Sequence, residues 1–376
     1  MDAHNEFVRW ATEKGVELSG VEPRKIPGRG VGMVATERLE EDQILLQVPT
    51  SLLRTVDTVP SSIRKKLPSH MSVHGLLAAD LALDKSRTYK LWNAVIPSKS
   101  EMEDSCPLAW VAELQTYLPS PAAERLRKQQ SKFARDWDEV RLAFSALRED
   151  DYRYAWLLVN TRTFYYSTPK TEKLYHKDDR MALQPVADLF NHADEGCAVA
   201  FDAESFTIRA NRVYEAGEEV FICYGRHAND FLLAEYGFVL EENRWDEVGL
   251  DEPVLSYLSG EQRADLEDAG FSGNYRLDAD TVCYRTQVAV RRMCMPVERW
   301  RRLVDGLEDA EVLKGKVNGL IAKLLRAYEK DVLGIIAELE GMKDGTADQR
   351  GLLIQRWSQV RVLVEDTIRR LEGETT

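Results

Sequence analysis

The sequence has no Cys-x-x-Cys pair, and its five cysteines stand far apart along 376 residues. An odd number of scattered cysteines is typical of free thiols in a reducing compartment. Zinc sites usually place cysteines or histidines in close pairs. We therefore expect no metal site, and free thiols at Cys106, Cys197, Cys223, Cys283 and Cys294.

Long apolar runs and an excess of positive charge are also missing. No stretch approaches the roughly 18–20 apolar residues of a membrane-spanning helix, and the start of the chain lacks the pattern of a secretory signal. The net charge is −13 and the pI is about 5.2. We therefore expect a cytoplasmic or nuclear monomer without a membrane or direct nucleic-acid partner, and an attraction to basic, lysine-rich proteins.

Two β-rich blocks flank a block of helices in the predicted secondary structure. A short amphipathic helix at 2–14 comes first. Strands are expected at 30–35, 43–48, 199–201, 205–210 and 219–223. Helices are expected between them at 73–83, 89–95, 110–118, 121–147 and 151–164. One β-domain that is split by a helical insertion explains this order.

The chain after Val239 is expected to be helical to its end. Apolar residues recur at helical spacing over 311–339, with Val312 among them, and again over 352–371. Gly341 to Gly345 provide a turn between the two stretches. This pattern favours an antiparallel helical hairpin that buries its own apolar stripe.

Three short motifs carry the chemistry of the sequence. Ile26 to Ala35 form a Gly-rich turn that runs into a strand, which is not a dinucleotide fingerprint because no helix follows. Asn191-His192 is expected directly after an apolar strand in the sequence, and Tyr224-Gly225 is expected at the end of another apolar strand. Each motif has an ordinary alternative, since Gly turns mostly connect strands and a lone His or Tyr is usually structural. A metal site of His192, Cys197 and Cys223 matches no known spacing.

Together the motifs resemble the SET-domain methyltransferases, and most of all the branch that contains the Rubisco large-subunit methyltransferase and its non-histone relatives. The resemblance covers most of the chain and is strongest at 26–48 and 185–240. It implies an α+β fold, in which a β-rich SET domain with a helical insertion is followed by an all-helical C-terminal domain. The expected parts are an N-terminal helix with the first part of the SET domain (1–57), the insertion (58–184), the second part with both motifs (185–245) and a substrate-binding helical domain (246–376).

The resemblance also implies the cofactor and the roles of individual residues. The cofactor would be S-adenosylmethionine, which leaves as S-adenosylhomocysteine. Cofactor contacts are implied for Pro27, Gly28, Arg29, Gly30, Arg162, Asn191, His192, Tyr236 and Phe238. Contacts with the target lysine are implied for Arg162, Asp188, Tyr224 and Phe238. From the residues alone, Arg162 is an ordinary arginine at the end of a helix, and Asp188 caps the end of a strand. Tyr236 and Phe238 are ordinary core residues.

Tyr224 is the expected catalytic residue. A phenol has a reference pKa near 10, so it stays neutral at pH 7 and is a poor base but a good orienting group. Methyl transfer to an amine requires alignment with the methyl donor and exclusion of water more than it requires a base. His192 is therefore not expected to act as the base.

The sequence thus predicts a lysine N-methyltransferase that acts on a non-histone protein with an exposed lysine, such as a ribosomal protein, an elongation factor or cytochrome c. Two alternatives stay open. Relatives that methylate a histidine of actin carry Asn directly after the arginine that matches Arg162, where this chain has Thr163. Directly before that arginine the family often has Ser, where this chain has Thr161. A catalytically silent binding module is the other alternative. The identity of the substrate and the number of methyl groups are not specified by the sequence.

Overall fold

The computed structural model describes residues 2–85, 88–309, 311 and 313–373. The chain forms two compact units. We call Met1–Ala109 together with Leu126–Arg226 unit 1, and Trp110–Arg125 together with His227–Thr376 unit 2. Residues 110–125, which we expected within the helical insertion, thus group with the C-terminal part of the chain.

Eleven strands are present in the described residues, and most of them are short. In chain order they are β1 (Glu17–Leu18), β2 (Val21–Ile26), β3 (Gly30–Ala35), β4 (Ile44–Pro49), β5 (Thr163–Tyr165), β6 (Met181–Leu183), β7 (His192–Phe201), β8 (Ser205–Arg209), β9 (Glu219–Val220), β10 (Glu247–Gly249) and β11 (Arg276–Asp278).

Sixteen α-helices are present in the same residues. They are α1 (Asp2–Glu13), α2 (Ser61–Arg64), α3 (Val73–Leu83), α4 (Lys90–Asn93), α5 (Lys99–Ser105), α6 (Ala112–Gln115), α7 (Ser120–Ala143), α8 (Glu149–Arg162), α9 (Pro169–Leu174), α10 (Asn229–Tyr236), α11 (Asp251–Tyr257), α12 (Gly260–Asp268), α13 (Tyr284–Cys294), α14 (Val297–Val304), α15 (Lys314–Gly341) and α16 (Ala347–Gly373). Among the described residues, no helix is long and apolar enough to cross a membrane.

Three small antiparallel sheets organise unit 1. Their strand orders are β1-β4-β8-β7, β2-β3-β9 and β5-β6. In the second sheet Ile26 pairs with Gly30, so residues 27–29 form a tight turn between β2 and β3. Strand β9 pairs on the other side of β3, with Val34 opposite Glu219. This sheet therefore brings the Gly-rich turn beside a segment that lies far away in the sequence.

The helical insertion of unit 1 has its own buried centre, where α3 packs on α8. Ser72 caps α3 by accepting a hydrogen bond from the backbone N–H of Gly75, as is typical of helix starts. The buried His74 ring stacks on Trp156 at 4.1 Å, and its Nε2 lies 2.9 Å from the Trp156 carbonyl oxygen. Burial lowers the pKa of His74 to about 3, so this imidazole is neutral at pH 7 and donates from Nε2.

Unit 2 is dominated by the hairpin of α15 and α16. Both helices bury an apolar stripe, which includes Ile321 and Leu325 on α15 and Val360 and Val364 on α16. The expected hairpin is confirmed, with a start at Lys314; Val312 lies outside the described residues. The stripe is buried because each helix is amphipathic and shields the other from water.

A buried arginine joins α16 to other elements of unit 2. Arg356 is fully buried and donates from Nε to Asp230 at 2.7 Å, from Nη1 to Asp246 at 2.7 Å, and from Nη2 to the Glu247 carbonyl at 3.0 Å. Burial by itself lowers the pKa of Arg356, but the two carboxylates outweigh it and raise the pKa, so the guanidinium stays charged. A buried charge with two matched partners ties α10 and the start of β10 to α16.

The α+β architecture is confirmed, but several local expectations were wrong. The expected helix at 110–118 is reduced to α6, and the expected strand at 219–223 to β9. The C-terminal region is not entirely helical, because β10 and β11 form a two-stranded antiparallel ribbon; strands of three residues are too short to show periodicity. The predicted helix at 151–164 is α8, which ends at Arg162 and gives way to β5. No strand runs into Asn191, since Ala187–Leu189 is a 3₁₀ turn after Val186 at a φ of 71°, and His192 begins β7.

Candidate active site

The Gly-rich turn between β2 and β3 forms one wall of the candidate site. Gly28 and Gly30 both have a φ of 74°, a backbone conformation that glycine adopts without strain. A Cβ placed on either glycine would meet no other atom within 4 Å. The backbone of the turn is therefore open to a ligand, and Pro27 and Arg29 lie within it.

A third glycine makes room for side chains from two other segments. A Cβ on Gly32 of β3 would lie 2.4 Å from Glu219 Oε1 and 2.8 Å from Asn191 Nδ2. Neither distance is compatible with a real side chain. The bare backbone at Gly32 thus lets Asn191 and Glu219 lie directly against β3.

Asn191, Glu219 and Arg29 form a polar cluster at this place. Asn191 donates from Nδ2 to Glu219 Oε1 at 2.8 Å, and Arg29 Nη2 lies 2.9 Å from Glu219 Oε2. The Arg29 guanidinium also lies over the Phe221 ring at 5.5 Å. The cluster offers a guanidinium, an amide and a carboxylate, which suits a ligand that carries both an ammonium and a carboxylate group.

His192 and Tyr224 are held together by two contacts, and a third fixes the Tyr224 hydroxyl on Phe190. Their rings stack at 4.9 Å, and the Tyr224 backbone N–H donates to His192 Nδ1 at 3.0 Å. The Tyr224 hydroxyl donates to the Phe190 carbonyl oxygen at 2.8 Å. Since Nδ1 of His192 accepts a hydrogen bond, this imidazole carries its proton on Nε2 and is neutral.

Burial governs the chemistry of Tyr224, which is half-buried as a residue with its hydroxyl on a backbone carbonyl. Loss of water contact raises the pKa of Tyr224 to about 12, and the positive charge of Arg162 only partly opposes the shift. The phenol is therefore neutral over the whole physiological range. A neutral phenol can donate or accept a hydrogen bond but is a poor base at neutral pH.

Asp188 and Arg162 form the third part of the site. Arg162, the last residue of α8, donates from Nη1 to the Asp188 carbonyl at 2.7 Å, and the same atom lies 3.7 Å from Asp188 Oδ2. Trp92 of α4 donates from Nε1 to Oδ2 at 3.3 Å. Burial raises the pKa of Asp188, and Oδ1 has no hydrogen-bond partner among the described residues. This oxygen is suited to accept a hydrogen bond from a cationic ligand.

Asp188 lies in a 3₁₀ turn, so its alternative interpretation as a strand-end cap was wrong. Tyr236 and Phe238 belong to unit 2, where their rings are 6.1 Å apart and Phe231 lies 6.4 Å from Tyr236. Their roles toward a cofactor or a lysine stay predictions.

A cavity of about 240 Å³ also lies in unit 1, and none of the expected site residues lines it. Two of its hydroxyl groups, those of Thr168 and Thr171, already serve the capping of α9. Among the described residues, no group of three or more His, Cys, Asp or Glu side chains could hold a metal ion. All five cysteines are free thiols.

The sequence motifs did not include Glu219 or Trp92. Glu219 follows Glu218 directly after a turn, where a carboxylate is usually solvated. Trp92 lies in the short helix α4 and gave only a generic apolar signal. An acidic residue at the first position of an expected apolar strand is the one sequence sign that could have pointed to Glu219.

Comparisons with known proteins bear on the family and the fold of the chain. The sequence model of the family described as "SET domain" matches residues 30–225, and that of the "Ribosomal lysine N-methyltransferase 2 C-terminal domain" matches residues 246–370. The chain is 27% identical over 392 residues to "SET domain-containing protein 4" of Mus musculus, and this alignment covers 95% of this chain and 89% of the relative. It is 26% identical over 358 residues to "Ribosomal lysine N-methyltransferase set11" of Schizosaccharomyces pombe, which covers 90% and 91%.

A solved structure supports the fold independently. The structure described as "Structure of Rubisco LSMT bound to Sinefungin and Monomethyllysine" superimposes with a TM-score of 0.65 at 17% identity, and the match covers 100% of this chain and 92% of that chain. At this level of identity the likeness concerns the fold.

Proposed function

The chain belongs to the SET-domain family, and from this premise we propose that it is an S-adenosylmethionine-dependent protein-lysine N-methyltransferase with a non-histone substrate. The resemblance seen in the sequence motifs is thereby confirmed, since the family match spans more than half of the chain. The observation that carries the proposal is the convergence of the Gly turn, Asn191 and Tyr224 in unit 1.

The residues present fit the proposed cofactor. The open backbone at Gly28 and Gly30 leaves room for a ligand against the turn. The amide of Asn191 offers a donor and an acceptor, and Arg29 offers a guanidinium, for the amino-acid head group. When it is bound, S-adenosylmethionine supplies a methyl group that its sulfonium already activates.

Tyr224 then provides geometry rather than base catalysis. Its ring is fixed by the His192 stack and its hydroxyl by the Phe190 carbonyl, so the phenol has one orientation. We propose that Asp188 Oδ1, which has no hydrogen-bond partner among the described residues, accepts a hydrogen bond from the ammonium of the target lysine. Arg162 holds the Asp188 backbone in place. Fixed orientation of this kind can supply a large part of the rate enhancement of a transfer reaction.

We propose a ribosomal protein as the substrate. A relative of nearly the same length is named a ribosomal lysine N-methyltransferase, and the family described for residues 246–370 carries the same activity in its name. Ribosomal proteins are basic and lysine-rich, which suits a chain with a net charge of −13. We assign docking of this protein to the helical region 246–376 and place the reaction in the cytoplasm.

The proposal is tested by incubating the purified chain with methyl-labelled S-adenosylmethionine and separate cytoplasmic and nuclear extracts. Mass spectrometry should locate the label on a lysine of a ribosomal protein in the cytoplasmic extract, and cross-links to that protein should fall within 246–376. Label on a histidine would favour the alternative activity. Absence of labelling, together with no rise in Tm on addition of cofactor, would identify a silent binding module.

Replacement of Asn191 by alanine should weaken binding of S-adenosylhomocysteine by about 1–3 kcal/mol, because the variant loses hydrogen bonds to the charged head group. Titration calorimetry measures this change directly. Asn211→Ala is a matched control, since Asn211 is also half-buried in unit 1 but accepts its hydrogen bond from Tyr214. Equal affinities of the folded Asn191→Ala variant and the unmodified protein would contradict the assignment.

A further inference from the structure

Glu219 has an environment that is unusual for an acidic residue at the start of a strand. Its side chain is only 9% exposed. The neighbouring Glu218 is 43% exposed and pairs with Arg212, which is the ordinary arrangement at a surface. A carboxylate that loses most of its water contact needs charged or donating partners. Glu219 has two, Asn191 and Arg29, and both belong to the proposed cofactor site.

The contact with Glu219 determines which way the Asn191 amide points. A carboxylate can only accept hydrogen bonds, so the amide atom 2.8 Å from Glu219 Oε1 is the donor Nδ2. The other atom of the amide, the carbonyl oxygen Oδ1 of Asn191, then faces away from Glu219. An outward carbonyl oxygen is the acceptor that an ammonium group requires. Without Glu219, both orientations of the amide would be accessible.

The second contact acts on the Gly-rich turn. Arg29 lies in the turn and its side chain is 56% exposed, so water alone would leave it mobile. Glu219 Oε2 at 2.9 Å and the Phe221 ring at 5.5 Å hold the guanidinium from two sides. The ion pair therefore restrains the conformation of the turn whose backbone faces the ligand.

We propose that Glu219 is a positioning residue for cofactor recognition, which orients the Asn191 amide and restrains the Arg29 turn from a single carboxylate. The inference rests on the proposed function. The space for this carboxylate is built into the sheet, since any side chain at position 32 would displace it. Glu219 does not touch the cofactor in this mechanism; it acts through its two neighbours.

The variant Glu219→Gln tests the proposal with little change in volume. The amide of glutamine has one oxygen, which accepts hydrogen bonds, and one NH₂ group, which donates them. Because Asn191 and Arg29 are both donors, glutamine cannot accept from the two of them with separate atoms as the carboxylate does. We expect the Kd for S-adenosylhomocysteine and the KM for S-adenosylmethionine to rise about tenfold. The KM for the protein substrate and kcat at saturating cofactor should stay near their original values. Glu218→Gln is the control and should change none of these constants.

A double-mutant cycle shows whether Glu219 acts through Asn191. In the Asn191→Ala background, Glu219→Gln should raise the Kd by clearly less than it does alone, because the amide that it orients is gone. Fully additive effects, or an unchanged Kd in Glu219→Gln, would overturn the inference. A change in Tm without any change in the Kd would show a purely structural role and overturn it as well.

The proposed function and this inference fail in different ways. If the unmodified chain does not bind S-adenosylhomocysteine, the proposed function itself is wrong. If the unmodified chain binds and Glu219→Gln binds equally well, only the role of Glu219 is wrong. If Glu219→Gln does not fold, Arg29→Met breaks the ion pair from the exposed side, and it should raise the Kd for the same ligand.

Discussion

Tyr224→Phe should lower kcat about 100-fold, since small losses of alignment in a transfer reaction have effects of this size. The variant keeps the ring that stacks on His192 but loses the hydroxyl that donates to the Phe190 carbonyl. The fold and the affinity for S-adenosylhomocysteine should therefore be nearly unchanged. Single-turnover methylation measured by mass spectrometry, together with calorimetry, separates the two effects.

The control for this prediction is Tyr154→Phe. Tyr154 is also half-buried in unit 1, and its hydroxyl donates to a backbone carbonyl, that of Pro97, at 2.6 Å. Loss of a buried tyrosine hydroxyl as such would affect both variants equally. Full turnover by Tyr224→Phe would disprove the role that we assign to the phenol.

The pH dependence of turnover offers a second check on Tyr224. Because burial raises the pKa of Tyr224 to about 12, the phenol is protonated throughout the usual assay range. Any rise of kcat between pH 7 and 9 then reports deprotonation of another group, such as the substrate amine. Tyr224→Phe should keep the shape of the pH profile and lower its height. A profile that becomes flat in the variant would indicate a phenolate base instead.

Arg356→Ala should destabilise the protein by about 3–5 kcal/mol, because it leaves buried carboxylates without their counter-charge. Asp230 and Asp246 both accept hydrogen bonds from this guanidinium, and all three side chains are less than 10% exposed. Denaturant unfolding monitored by circular dichroism measures the loss. Arg361→Ala on the same helix removes a partly exposed pair with Glu365 and should cost less than about 1 kcal/mol.

The loss of stability in Arg356→Ala should depend on pH. Burial already raises the pKa of Asp230, and without the nearby guanidinium nothing offsets that shift. An acid whose pKa is higher in the folded state than in the unfolded state lowers the free energy of unfolding at pH values above its unfolded-state pKa. This loss becomes smaller as the pH falls toward that pKa. The difference between Arg356→Ala and the unmodified protein should therefore be smaller at pH 5 than at pH 7. An equal difference at both values would show that lost packing, rather than charge, is the cause.

The elements that were predicted well are those whose signal is local. The expected ranges for β3 and α3 agree with the structure, because a β-rich apolar run after a Gly turn and an apolar stretch behind Ser72 each specify their own conformation. The hairpin of α15 and α16 was predictable because two long amphipathic helices that are joined by a short turn readily bury their apolar stripes against each other.

Elements that depend on distant partners were missed. The ribbon of β10 and β11 has three residues in each strand, and neither strand has a reason to form without the other. The segment before Asn191 contains the apolar residues of a strand, but Val186 adopts a left-handed conformation and the chain turns instead. Only contacts in the assembled unit stabilise such a conformation at a β-branched residue.

The sequence by itself determined the family, the α+β order of elements and the identity of the motif residues, because Gly28, Asn191 and Tyr224 are recognisable by type and spacing. The tertiary structure alone decided how these residues work together. Glu219 lies 28 positions from Asn191, and Trp92 lies 96 positions from Asp188, yet each pair shares a hydrogen bond. The orientation and the pKa of a side chain depend on its neighbours in space. A local sequence pattern does not predict which distant carboxylate will lie against a given amide.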